Sequence, residues 1–103
     1  MLLSEAIRKG AVIRPQRFAT VPHGPTDGSC VLQAAVEGAT GILADWSNSL
    51  RPLWPNIYSK QCECPECGTT HAYGTGMLAI CLNDRHRWTR ERIADWVEQN
   101  WEA

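Results

Sequence analysis

The sequence has no run of apolar residues approaching the roughly 18–20 that a membrane-spanning helix needs. It also lacks a basic segment followed by an apolar stretch at its start, because Glu5, Arg8 and Lys9 interrupt "MLLSEAIRKGAVI". Charge excess is missing too: ten Lys and Arg face eleven Asp and Glu, for a formal net charge of −1. That balance excludes a general electrostatic pull toward nucleic acid or anionic membrane. There is no internal repeat and no low-complexity tract. The motifs of common enzymes are absent as well: no phosphate-cradling glycine loop, no nucleophile elbow, no HExxH. An enzyme is therefore not expected. Phenylalanine occurs once and tyrosine twice, yet there are five tryptophans. Most of these are expected in the core, with Trp101 the candidate anchor for a partner surface.

With 103 residues, 44% of them apolar and 20% charged, the chain reads as a single globular domain spanning 1–103. A domain of this size buries a modest core, and a structural metal would add to its stability. The five cysteines are odd in number and three crowd together, which is unlike a secreted disulfide framework. A reducing, cytoplasmic location is expected, with thiolates used for metal.

The pattern predicts a helix over 4–13 capped by Ser4, with Leu3, Ile7 and Ala11 on one side, ended by Pro15. Residues 15–28 carry three prolines and two glycines and read as a loop, with an edge strand at 17–21. Ser29 is placed to cap a buried apolar helix that Gly38 or Gly41 ends. Ile42, Trp46 and Leu50 suggest a short helix over 41–50, and residues 57–60 a strand. Thr89 caps the clearest element, a helix over 89–101 with Ile93, Trp96, Val97 and Trp101 on one face.

The chemistry concentrates in "QCECPECGTTH", residues 61–71. Cys64-Pro-Glu-Cys67-Gly places two thiolates in one tight turn, which Pro65 stiffens and Gly68 permits. Zinc favours such soft ligands, and two more are needed. Cys62 alternates with Cys64 along a strand and so points to the other face. His71 is reachable only by a special turn. Further along, Cys81 and His86 complete the pattern Cys64-x2-Cys67-x13-Cys81-x4-His86. Its spacing is similar to that of zinc fingers of the C2H2 type, in a C2HC variant. The segment before Cys81 holds Met77, Leu78 and Ile80 where DNA-reading fingers carry polar side chains. The resemblance thus extends to metal chemistry and not to base recognition. The expected architecture is an α+β, helix-rich small domain with a zinc-finger-like C-terminal half.

A second resemblance rests on "CLNDRHRWTRERIADWV", the CPxCG knuckle and "LSEAIR". Together they resemble small uncharacterised bacterial and phage-type proteins. These often carry His at the position of Cys81, which implies a ligand there; the resemblance implies no activity.

"RHRWTRER", residues 85–92, offers four arginines around a tryptophan. Arg85, Arg87, Trp88, Arg90 and Arg92 are the candidate residues for nucleic-acid contact. The plainer reading is a solvated helix start with its arginines paired to Asp84, Glu91 or Asp95. Cys30 reads as a buried small side chain; a nucleophile there would have to gather His23 and Asp27. The function expected is a non-catalytic zinc protein working through contacts with another protein, with nucleic-acid binding as the alternative.

Overall fold

The computed structural model describes residues 1–18, 28–58, 61–71 and 74–102. Its elements in chain order are α1 (Leu3–Ala11), α2 (Val31–Thr40), α3 (Trp46–Leu53), β1 (Cys62–Glu63), β2 (Thr70–His71), α4 (Thr75–Ile80) with a π-helical extension (Cys81–Arg85), and α5 (Arg90–Asn100). The strands pair antiparallel, Cys62 opposite His71 and Glu63 opposite Thr70. Helices dominate and one small hairpin sits beside the cysteine cluster, so the α+β, helix-rich class holds.

α1 and α2 form the centre of the N-terminal half. They run antiparallel, and glycine sets their spacing. A Cβ on Gly10 would lie 1.7 Å from the Ala34 carbonyl oxygen, and one on Gly38 would lie 2.0 Å from that of Ala6. Only a missing side chain lets two backbones approach this closely. Gly38 therefore packs inside α2 rather than ending it. The end falls at Gly41, in the left-handed region at φ 77°, which suits a helix C-cap without a Cβ. Leu3, Ala6, Ile7, Val31, Leu32, Ala35 and Val36 are fully buried. α5 lies against α1 with Ile93, Ala94 and Val97 inside.

Several expected caps are reassigned. Ser4 lies within α1, and Leu2 takes the cap position without a side-chain bond. The Ser4 amide and hydroxyl instead donate to the Glu102 carboxylate from the far end of the chain. An acidic group there also suits the helix dipole. Cys30, not Ser29, caps α2, its Sγ accepting from the Gln33 amide at 3.4 Å. α3 begins later than expected because Asp45 is the cap, accepting from the Ser47 amide at 3.0 Å. Ile42 is left outside and exposed. Pro52 falls in the last turn of α3, where its missing amide removes one of the closing hydrogen bonds, and the helix ends one residue later at Leu53. The Thr89 cap of α5 is as expected, accepting from the Arg92 amide at 3.1 Å.

The strand expected over 57–60 is a turn at Ile57 and Tyr58, and residues 59–60 lie outside the described set. Of the edge strand expected over 17–21, only Arg17 and Phe18 are described. A single parallel bridge joins Gln16 to Ser29 nearby. Trp46, Trp54 and Trp88 are buried, while Trp96 and Trp101 are half-buried against the core. No helix among the described residues is long and apolar enough to cross a membrane.

Candidate metal centre

The knuckle hangs from the hairpin. The Cys64 amide donates to Thr69 O and the Gly68 amide to Cys64 O, both at 2.9 Å. Gly68 closes this turn at φ 73°, a conformation that strains any residue with a Cβ. The turn swings Cys67 back toward Cys64. Gly74, at φ 83° and ψ −159°, starts α4 in a region essentially reserved for glycine.

The second pair of candidate ligands depends on the π-helical extension. In an α-helix, residues five apart point about 140° away from each other. Here the His86 amide donates to Cys81 O at 3.2 Å, an i to i+5 bond. The wider turn rotates the chain less per residue than an α-helix does, and positions 81 and 86 come closer to one face. Asn83, fully buried, holds this widened turn. Its Oδ1 accepts from Gln16 Nε2 at 2.9 Å and from the Val31 amide at 3.2 Å. Its Nδ2 donates to Arg17 O at 2.9 Å and Asp84 Oδ1 at 2.7 Å. All four of its hydrogen-bonding positions are used. Arg87 follows at φ 53°, a turn that redirects the chain into α5.

The ligand atoms of Cys64, Cys67, Cys81 and His86 all lie within 4.8 Å of one another. Cys64 Sγ and Cys81 Sγ are 3.9 Å apart. Two thiolates on a tetrahedral ion at about 2.3 Å would stand about 3.8 Å apart, so the spacing fits. His86 Nε2 is buried with no hydrogen-bond partner among the described residues, an unmet need that a metal ion would meet. This group could hold a metal. Cys62 and His71 are outside it. They face each other across the hairpin, and Cys62 Sγ lies 3.5 Å from Thr75 Oγ1.

The thiols differ in their electrostatics. Cys67 is exposed, and its pKa is lowered to about 5, chiefly by the Thr69 hydroxyl, then by the Thr69 amide and by His86. Burial, followed by the neighbouring Cys64, pushes Cys81 up to about 11. Folding without metal therefore holds Cys67 as a thiolate and Cys81 as a thiol. A bound cation would favour the thiolate at both.

Glu66, between the two knuckle cysteines, ties the site to α5. Its Oε1 accepts from Trp88 Nε1 at 3.2 Å and faces Arg92 at 3.7 Å. Arg92 lies over the Trp88 ring, 3.7 Å from its centre. Arg90 is buried and donates to Ser29 Oγ and to the carbonyls of Ser29, Ala11 and Arg14. Arg87 lies 4.8 Å from the centre of the Phe18 ring. Of the five candidates for nucleic-acid contact, Arg90 and Trp88 are thus buried, while Arg85, Arg87 and Arg92 are exposed. The expected pairing of these arginines with Asp84, Glu91 or Asp95 is replaced by Glu66 for Arg92 and by carbonyls for Arg90.

Cys30 is buried, and burial raises its pKa, opposite to what a nucleophile needs. His23 and Asp27 lie outside the described residues. Sequence reasoning missed Asn83 and Glu66. A lone asparagine inside "CLNDR" gives no sign of the contacts that bury it.

No family model, curated protein or solved structure matches the chain. The resemblance to small bacterial and phage-type proteins is thus an expectation from sequence motifs, and function is argued from the site.

Proposed function

We propose that this chain is a non-catalytic zinc protein. One structural zinc ion on Cys64, Cys67, Cys81 and His86 stabilises the C-terminal half, and the protein works as an adaptor or regulator through contacts with another protein. The observation that carries the metal reading is the convergence of four ligand atoms within 4.8 Å. Three thiolates and one imidazole are a donor set that zinc accepts in closed, four-coordinate sites. Such a site has no open position for substrate, which favours a structural role. Elemental analysis of protein purified without added metal tests it, with one zinc per chain expected. Anomalous scattering at the zinc edge would name the ligands. Protein purified free of metal whose stability does not change when zinc is added would overturn the reading.

Support for protein contact comes from one end of the α1–α2 pair. Met1, Leu2 and Ile42 are 55%, 53% and 65% exposed. The antiparallel register brings the start of α1 and the end of α2 to that same end. Large exposed apolar side chains grouped in this way favour a docking surface over a solvated one. A partner that binds the wild-type protein and is lost with L2E and I42E, while zinc content is unchanged, is the expected result. Nucleic-acid binding is less favoured, because Arg90 and Trp88 are occupied in the interior.

A further inference from the structure

An open cleft of about 480 Å³ lies beside the metal centre, on its helix side. One wall is β2, with Thr70 and His71. The other is α4 and its π-helical extension, with Met77, Ile80, Asp84 and Arg85, and with the metal-ligand candidate Cys81 between them. The volume falls in the range of small-molecule sites, roughly 300–1,000 Å³. Met77 and Ile80 give it an apolar floor, and a few polar groups stand around them.

The charges in the cleft are unequally engaged. The Asp84 carboxylate accepts from Asn83 Nδ2 at 2.7 Å. Arg85 is exposed and has no hydrogen bond or ion pair with the described residues. The His71 ring brings a second unmet group, since its Nε2 is buried and without a partner among the described residues. A cleft with an apolar floor and a free guanidinium at its rim suits a ligand with an apolar body and one carboxylate.

We infer that this cleft binds a small apolar monocarboxylic acid, its body on Met77 and Ile80 and its carboxylate on Arg85. The planar guanidinium can meet both carboxylate oxygens at once, which a neutral amide of the same shape cannot match. The inference rests on the zinc reading in one respect. The two walls belong to separate segments, and the proposed metal joins them, with Cys64 and Cys67 on the hairpin side and Cys81 and His86 on the helix side.

The test uses the zinc-loaded full chain, phenylacetate as probe and phenylacetamide as its uncharged control. Amide and methyl NMR shifts are followed during titration, and zinc is assayed on the same sample. Saturable shifts at Thr70, His71, Met77, Ile80 and Arg85 are expected, with the acid bound at least tenfold more tightly than the amide. R85Q should lose that preference while keeping its zinc. Zinc-loaded protein that binds neither probe, or binds both equally, overturns the inference and leaves the zinc site standing. So do shifts located elsewhere, or an R85Q variant with the preference intact. Zinc-free protein that still prefers the acid, and whose stability does not change when zinc is added, overturns the metal reading and supports the cleft.

Discussion

Cys81 Sγ lies 3.9 Å from Cys64 Sγ although seventeen positions separate them in the chain. One cysteine belongs to a hairpin knuckle and the other to a helix. Their approach links two segments that lie far apart in the chain.

Breaking that link should show first in metal content. C64S and C81S are expected to lose zinc and to lower stability by at least about 3 kcal/mol, on the order of 10–20 °C in Tm. C62S should keep zinc and stay within about 1 kcal/mol, because Cys62 lies outside the ligand group. Paired metal assays and thermal melts decide it; equal losses in all three variants would remove the distinction drawn between Cys62 and the ligands.

The metal-free protein should show two opposed pH limbs. Cys67 is held at about 5 against an ordinary thiol near 9. A lowered pKa gives stability that is present above the ordinary value and is lost as pH falls through about 5. Cys81 is held at about 11, so its contribution is present below the ordinary value and is lost as pH rises through about 11. Urea midpoints of chelator-treated protein should therefore rise from pH 5 toward 9 and fall again toward 11. C67S should flatten the acid limb. A midpoint that does not change between pH 5 and 9 would contradict the assignment.

Two glycines invert the usual helix preference. Alanine within a helix normally gains up to about 1 kcal/mol over glycine. G10A and G38A should instead destabilise by about 2–3 kcal/mol or more, because the new Cβ meets backbone oxygens that cannot swing away. Chemical denaturation of the two variants measures this, and a stabilised variant of either kind would mean that the helices can separate at little cost.

The buried polar joints should matter more than the exposed arginines beside them. R90A would leave carbonyls of Ser29, Ala11 and Arg14 without that donor, for a loss of about 2–4 kcal/mol. N83A should cost a similar amount and reduce zinc affinity as well, since Asn83 holds the turn that aligns Cys81 with His86. R85A should stay within about 0.5 kcal/mol in stability. Denaturation curves with zinc competition separate the three cases; an N83A variant with unchanged zinc affinity would detach the π-helical turn from the site.

How far the site was legible in sequence differs from residue to residue. Cys64 and Cys67 announce themselves, because a Cys-x2-Cys turn with a following glycine works through local geometry alone. Cys81 and His86 could be chosen by spacing, but their alignment could not be derived. Five residues apart on an α-helix they would diverge, and only the widened turn joins them. Ser29 and Ser4 do not cap their helices, for a related reason. Each is a good cap by composition, yet tertiary partners, Arg90 and Glu102, engage them in other ways.

Local rules acting within a few residues were set by the sequence itself: α5 with its Thr89 cap and apolar face, the knuckle turn, and a glycine stop for α2, which the packing of Gly38 on α1 then left to Gly41. The tertiary structure decided what depends on groups distant in the chain. It placed Arg90 inside rather than on a nucleic-acid surface, and it made Glu66 the link between the knuckle and α5. It also buried Asn83 where it holds a π-helical turn. The physical reason is that burial and hydrogen-bond partnership are properties of the packed chain, and a polar residue takes its role from whichever unsatisfied group folding brings beside it.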